Sequence, residues 1–184
     1  GGGWLEVDGR RLEANILGKL FTLILNKAAH LDPEGIGLSY EADKPGWNDA
    51  MNGLPGLFGS GVSEMFELRT LTRFLLEEVR PFEGRHAVVL EETVGLAKAF
   101  LAIEATDAFS DWDRRMDALE AYRAEIAATK GTVSYGVSDV ITVLEAVDRR
   151  LSEAENKAKA LGPIIPLDIW AKEISPSNEL RKEY

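Results

Sequence analysis

Residues 11–31, RLEANILGKLFTLILNKAAHL, place Leu12, Ile16, Leu17, Leu20, Phe21, Leu23, Ile24 and Leu25 around nearly the whole circumference of a helix. A helix that is apolar all round is normally buried on more than one face. The reading therefore predicts an inner helix. It stops at Asp32-Pro33-Glu34-Gly35, where the proline keeps Asp32 out of the helical region and the glycine permits a turn.

Working outward, a second inner helix is expected from Ser63, with Glu64 and Glu67 at its positive end. Met65, Leu68, Thr72, Leu75, Leu76 and Val79 lie along one face, Phe66, Leu71 and Phe74 on another, and Pro81 stops it. After Gly84 a third helix is expected over residues 85–104. A fourth, outer and amphipathic, is expected from Ser110 as N-cap, with Trp112, Met116, Leu119, Tyr122 and Ile126 on its apolar side and Lys130-Gly131 at its end. A fifth covers 138–161, apolar at Val140, Ile141, Leu144, Val147 and Leu151, and Gly162-Pro163 breaks it. The expected class is all-α, built from helical hairpins over residues 1–163. Residues 164–184 read as an extended tail, and Gly1–Gly3 are left out of the fold argument.

The chain has 184 residues, 45% hydrophobic and 28% charged, a composition that suits one globular domain rather than a disordered segment. Its 21 Lys and Arg against 31 Asp and Glu give a formal charge of −10, so no basic surplus is left to neutralise nucleic-acid phosphates. There is no cysteine, which excludes disulfides, Cys-ligated zinc and thiol nucleophiles. That is compatible with a reducing compartment, and a cytoplasmic location is expected. The longest apolar stretch, Ile16 to Leu25, is broken by Gly18, Lys19 and Thr22 and falls short of the roughly 18 apolar residues that a membrane span needs.

Between the first two helices, residues 32–62 have neither helical nor strand period. They hold seven glycines and three prolines together with Tyr40, Trp47, Met51, Leu57 and Phe58. Long aperiodic segments are either disordered or functional. The apolar side chains favour an ordered loop against a helical body. Within it Glu41, Asp43, Trp47, Asn48 and Asp49 form the densest group of reactive side chains. Carboxylates beside aromatic rings suit a sugar site, because rings stack on a pyranose and a carboxylic acid of raised pKa can protonate a glycosidic oxygen. Composition alone equally allows solvated acids around a core tryptophan.

The run Lys44-Pro45-Gly46-Trp47-Asn48-Asp49-Ala50-Met51-Asn52-Gly53-Leu54-Pro55-Gly56-Leu57-Phe58-Gly59-Ser60 resembles the catalytic-acid segment of the cellobiose phosphorylase-like glycoside phosphorylases. In that family a Trp-Asn-Asp triplet sits between helices of an (α/α)6 barrel. The resemblance implies that Asp49 is the general acid and that Trp47 walls the sugar subsite; Asn48, with Glu41, Asp43 and Tyr40, is expected to contact substrate from the residue types of the loop itself. The resemblance further implies inverting phosphorolysis of a β-linked glucoside or oligosaccharide to a sugar 1-phosphate. Inorganic phosphate is then a co-substrate and no cofactor or metal is required. Many members have Asp before the tryptophan, where this chain has Gly46.

A closed barrel of twelve helices needs on the order of 350 residues. The resemblance therefore implies a partial barrel, completed by further helices or by a homo-oligomer. No match to the family's phosphate-binding His and Thr-Gly elements is found. Two alternatives stay open: an inverting hydrolase on the same barrel, with Glu41 activating water, and a non-catalytic helical binding module whose apolar faces would be exposed.

Other features carry blander expectations. His30 and His86 have no partner at i+3 or i+4, and His30, in the last turn of the first helix where a cation suits the dipole, is expected in a plain capping role rather than in catalysis. Gly59-Ser60-Gly61-Val62-Ser63 before a helix start can cradle an anion or simply cap the helix. Asp107, Asp111, Asp113 and Asp117 read as the solvated start of a helix.

Overall fold

A computed structural model describes residues 6–40, 59–105, 107–162, 168–174 and 180–183, and these are mostly helical. The chain enters through a hairpin in which β1 (Glu6–Val7) pairs with β2 (Arg10–Arg11). Asp8 and Gly9 both have positive φ, 52° and 72°, as a tight Asp-Gly turn between right-twisted strands requires. The first helix therefore starts later than expected. In α1 (Ile16–Ala29) the Asn15 side chain accepts from the Gly18 N–H at 2.7 Å, capping a helix that the apolar pattern alone would have begun at Arg11.

Phe21, Ile24, Leu25, Ala28 and Ala29 of α1 are buried, but Ile16 and Leu23 are 78% and 46% exposed. α1 is thus the inner helix expected, buried on more than one face, with Ile16 and Leu23 on the part left open. One arc of α1 has no covering element among the described residues.

Past His30 the chain folds back on itself. The Asp32 carboxylate accepts from the Ile36 and Gly37 N–H groups at 3.1 and 3.0 Å, and Gly35 turns the backbone with a φ of 65°. Leu31 then bridges Leu38, and Ser39 N–H donates to the His30 carbonyl at 2.7 Å. This seats β3 (Leu38–Ser39) against the end of α1. Strand β4 (Gly59–Gly61) pairs antiparallel with β3 on one side and with β7 (Asp168–Ile174) on the other, and β7 pairs with β8 (Leu180–Glu183). Parts of the segment read as a tail thus join a four-stranded sheet.

Helix α2 (Val62–Val79) follows β4 directly, with Gly61 rather than a side chain at its N-cap. Met65, Leu68, Thr72, Leu75, Leu76 and Val79 are buried as the spacing predicts, whereas Phe74 is 54% exposed. A short 3-10 turn, Arg80–Phe82, replaces the helix at Pro81.

The next segment departs from the sequence reading. His86–Leu90 is strand β5, not the first turn of a helix, and α3 (Glu91–Leu101) starts only after it. HAVVL alternates exposed and buried side chains, with Ala87 and Val89 fully inside, so the period is two. Helix α4 (Ala108–Ile126) is capped by Asp107, whose carboxylate accepts from the Ser110 N–H at 2.9 Å and the Ser110 hydroxyl at 2.7 Å. Ser110 therefore lies inside the helix it was expected to cap. Strand β6 (Thr132–Gly136) then pairs with β5 in antiparallel register, His86 opposite Gly136 and Leu90 opposite Thr132. It feeds α5 (Val137–Ala160).

Strand β5 leads into α3 and β6 into α5, so this two-stranded ribbon lies at one end of the helices. The β3–β4 pair lies at the other, where α1 ends and α2 begins. Gly18 lets α1 press on the ribbon, since a Cβ there would run into the Val88 carbonyl oxygen. The core between the ends is a single apolar cluster in which α5 is the most thoroughly covered, with Val140, Val143, Leu144, Val147, Leu151 and Ala154 all inside. Arg69 of α2 straps that helix to α5 through Asp148 at 3.3 Å, Ser152 at 3.1 Å and Glu155.

Candidate functional site

Of the residues expected to form a sugar site, Glu41, Asp43, Trp47, Asn48 and Asp49 lie outside the described residues. Tyr40 lies within them, at the last position before that segment, and its N–H donates to the Gly59 carbonyl at 3.1 Å. The two stems of segment 41–58 are thereby joined by a backbone hydrogen bond at the end of the β3–β4 pair.

Gly61 makes this base compact. A Cβ on Gly61 would collide with the Glu64 carboxylate and lie 2.8 Å from the Tyr40 hydroxyl. Both side chains thus converge on the space that glycine leaves. The Ser63 hydroxyl donates to Glu64 Oε2 at 3.0 Å, and Ser60 is fully buried beneath. Gly37 approaches from the other strand, where a Cβ would sit 3.1 Å from the Gly61 carbonyl oxygen. Glu64 was read from sequence only as an acid favouring a helix start. Its approach to Tyr40 depends on the β3–β4 register, which neither residue's local sequence announces. Of the two readings of the Gly59–Ser63 stretch, the cap is the one seen: Gly61 ends strand β4 as the N-cap of α2, with an acidic side chain folded over it.

Beside this base lies a cavity of about 580 Å³ between the turn after α1, the end of α3, the start of α4 and the second half of α5. At its back Arg115 of α4 is 1% exposed. Its Nε donates to Asp111 Oδ2 at 2.8 Å, and one terminal nitrogen donates to the carbonyls of Ala29, at 2.9 Å, and Leu31. Arg150 of α5 reaches the other Asp111 oxygen and lies over the Phe100 ring, 5.2 Å from its centroid. Burial pushes the Asp111 carboxyl up. The charges and N–H donors of Arg115 and Arg150 more than offset this and hold it below the ordinary 3.8. Asp111, expected as a solvated residue, is therefore the hub of an ion network.

His30 takes the capping role expected of it, as the C-cap of α1. It is 4% exposed, with Nδ1 2.8 Å from the Asn26 carbonyl and Nε2 2.9 Å from an Arg123 nitrogen. Arginine can only donate, so Nε2 accepts and Nδ1 carries the proton.

Among the described residues, no group of three or more His, Asp or Glu side chains is placed to hold a metal ion, and no helix is long and apolar enough to cross a membrane. Comparison with known proteins finds no family model and no curated protein that matches this chain.

Proposed function

We propose that this chain is part of an inverting glycoside phosphorylase of the cellobiose phosphorylase-like type, with its helices forming a portion of an (α/α)6 barrel. The observation that carries the reading is the run from Lys44 to Ser60, with Trp47-Asn48-Asp49 at its centre. The hydrogen-bonded stems of segment 41–58, packed on the helix ends through β3 and β4, support it, because a catalytic acid needs a fixed footing.

In this reaction Asp49 gives its proton to the glycosidic oxygen as the bond from that oxygen to the anomeric carbon breaks. An oxygen of inorganic phosphate attacks the same carbon from the opposite face. The products are a sugar 1-phosphate of inverted configuration and the shortened acceptor. Phosphate is the nucleophile, so no second carboxylate has to activate water. Trp47 and Asn48, with Glu41, Asp43 and Tyr40, line the sugar subsite. Oligosaccharide and phosphate are the small-molecule partners, and the remaining helices of the barrel or a second copy complete the site.

The test measures sugar 1-phosphate released from cello-oligosaccharides and β-glucans, with and without inorganic phosphate, by this chain and by a longer polypeptide containing it. Phosphate-dependent release supports the reading, and phosphate-independent hydrolysis replaces it with an inverting hydrolase. A second reading, a helical interaction module, draws on the exposure of Ile16, Leu23 and Phe74 along α1 and α2. Absence of turnover from both polypeptides, together with a protein partner that covers these residues, would favour it.

A further inference from the structure

The 580 Å³ cavity beside the loop base falls within the size range of small-molecule sites. Its hydrogen-bonding capacity is lopsided. Of its acids, Asp32 accepts two backbone N–H groups, Asp107 caps α4, and Asp111 accepts from two arginines. Only Glu153 carries a carboxylate with no described partner.

The cations are less fully used. Arg149 has no described hydrogen bond or ion pair, Arg150 commits one terminal nitrogen to Asp111, and Lys157 donates to the Glu34 carbonyl at 2.9 Å with two N–H groups remaining. All three line the cavity from α5. Phe100, Leu101 and Ile103, from the end of α3, give it an apolar wall. Unused guanidinium donors beside an aliphatic and aromatic wall suit a ligand with an oxyanion at one end and an apolar body at the other.

We propose that this cavity binds a small oxyanion, a phosphate monoester or a carboxylate, carried on an apolar group. The oxyanion is held by Arg149 and Arg150 with Lys157 adding to the attraction, and the apolar group lies on Phe100, Leu101 and Ile103. Asp111 holds Arg150 in place while Arg115 helps neutralise that carboxylate, so the anionic ligand meets three cations of α5 with Glu153 as the one carboxylate among them that has no described partner.

The experiment is calorimetric titration of the full chain with phenyl phosphate, benzoate and inorganic phosphate at low and high salt. Saturable binding of phenyl phosphate or benzoate that weakens with salt is expected, and the tighter of the two identifies the head group. Arg149→Gln and Lys157→Gln each weaken it, Arg149→Gln by roughly tenfold. Arg73→Gln, an exposed arginine on α2, and Asp49→Asn leave it unchanged. Loss in Asp49→Asn would move the ligand to the sugar loop and overturn the assignment. So would the absence of saturable binding, equal weakening by Arg73→Gln, or inorganic phosphate binding as tightly as phenyl phosphate. Because Asp49→Asn is the control here, failure of this proposal is distinguishable from failure of the phosphorylase reading.

Discussion

Replacing Arg115 by methionine keeps an unbranched apolar stem and removes the five donors of the guanidinium. Three bonds are lost: one to the Asp111 carboxylate and two to the carbonyls of Ala29 and Leu31, where α1 ends. Asp111 keeps Arg150, so its charge is not orphaned. The two carbonyls have no such reserve in Arg115's absence, and a buried acceptor stripped of its donor costs about 1–3 kcal/mol. Relief from burying a guanidinium offsets part of this, since burial holds the Arg115 pKa below its ordinary value against the pull of Asp111. Because Asp111 is not left uncompensated, the net cost is that of two stripped acceptors less the relieved burial, about 2–4 kcal/mol. For a chain of this size that lowers Tm by roughly 4–16 °C. The assay is thermal unfolding followed by circular dichroism near neutral pH, with urea unfolding for the free energy. Arg73→Met, on the exposed side of α2, is the control and shifts stability by no more than about 0.5 kcal/mol. An Arg115→Met Tm within 2 °C of wild type, about the shift expected for 1 kcal/mol at most, would refute the view that this side chain fastens α4 to the end of α1.

The same network sets the acid response. Asp111 has a folded pKa below 3.8, so the unfolded state takes up protons first as pH falls. Its contribution is present above pH 3.8 and is lost as pH drops through the folded value; urea unfolding between pH 2 and 5 should show a shallower decline for Asp111→Asn than for wild type. Gly18→Ala drives a Cβ into the Val88 carbonyl, a backbone atom of the ribbon that cannot swing aside, and should cost about 1–3 kcal/mol. Equal urea midpoints for variant and wild type would show that α1 is not pinned there. Asp49→Asn should lower phosphorolysis by about 10²–10⁴-fold in whichever polypeptide shows it, with an unchanged circular dichroism spectrum; activity within twofold of wild type would dismiss Asp49 as the acid.

The helices were legible where burial follows local period. Val140, Leu144, Val147 and Leu151 repeat at helical spacing and all face inward. Strand β5 was missed although HAVVL carries a period of two, because five residues running straight into α3 also fit a continuous helix. What turns them into a strand is Thr132–Gly136, about forty residues further on. The start of α4 slipped from Asp107 to Ser110 because both are good caps, and only the bond from the Ser110 N–H decides between them. At the site, Tyr40 and the glycines pointed to an ordered turn-rich base, while the approach of Glu64 did not show. The role of Asp111 was hidden for a similar reason. An Asp and an Arg four apart on an amphipathic helix normally face water, and here carbonyls of α1 and a guanidinium of α5 enclose them.

Strand β4 has an implication for the order in which the molecule is made. Gly59 lies opposite Trp170, and at synthesis rates of about 5–20 residues per second the partner follows roughly 6–22 s later. During that interval the footing of the candidate loop has β3 but not β7, and one edge of β4 waits unpaired. A nascent chain can therefore assemble the α1–α2 pair early, whereas the base of its candidate site is finished only once residues 168–174 have left the ribosome.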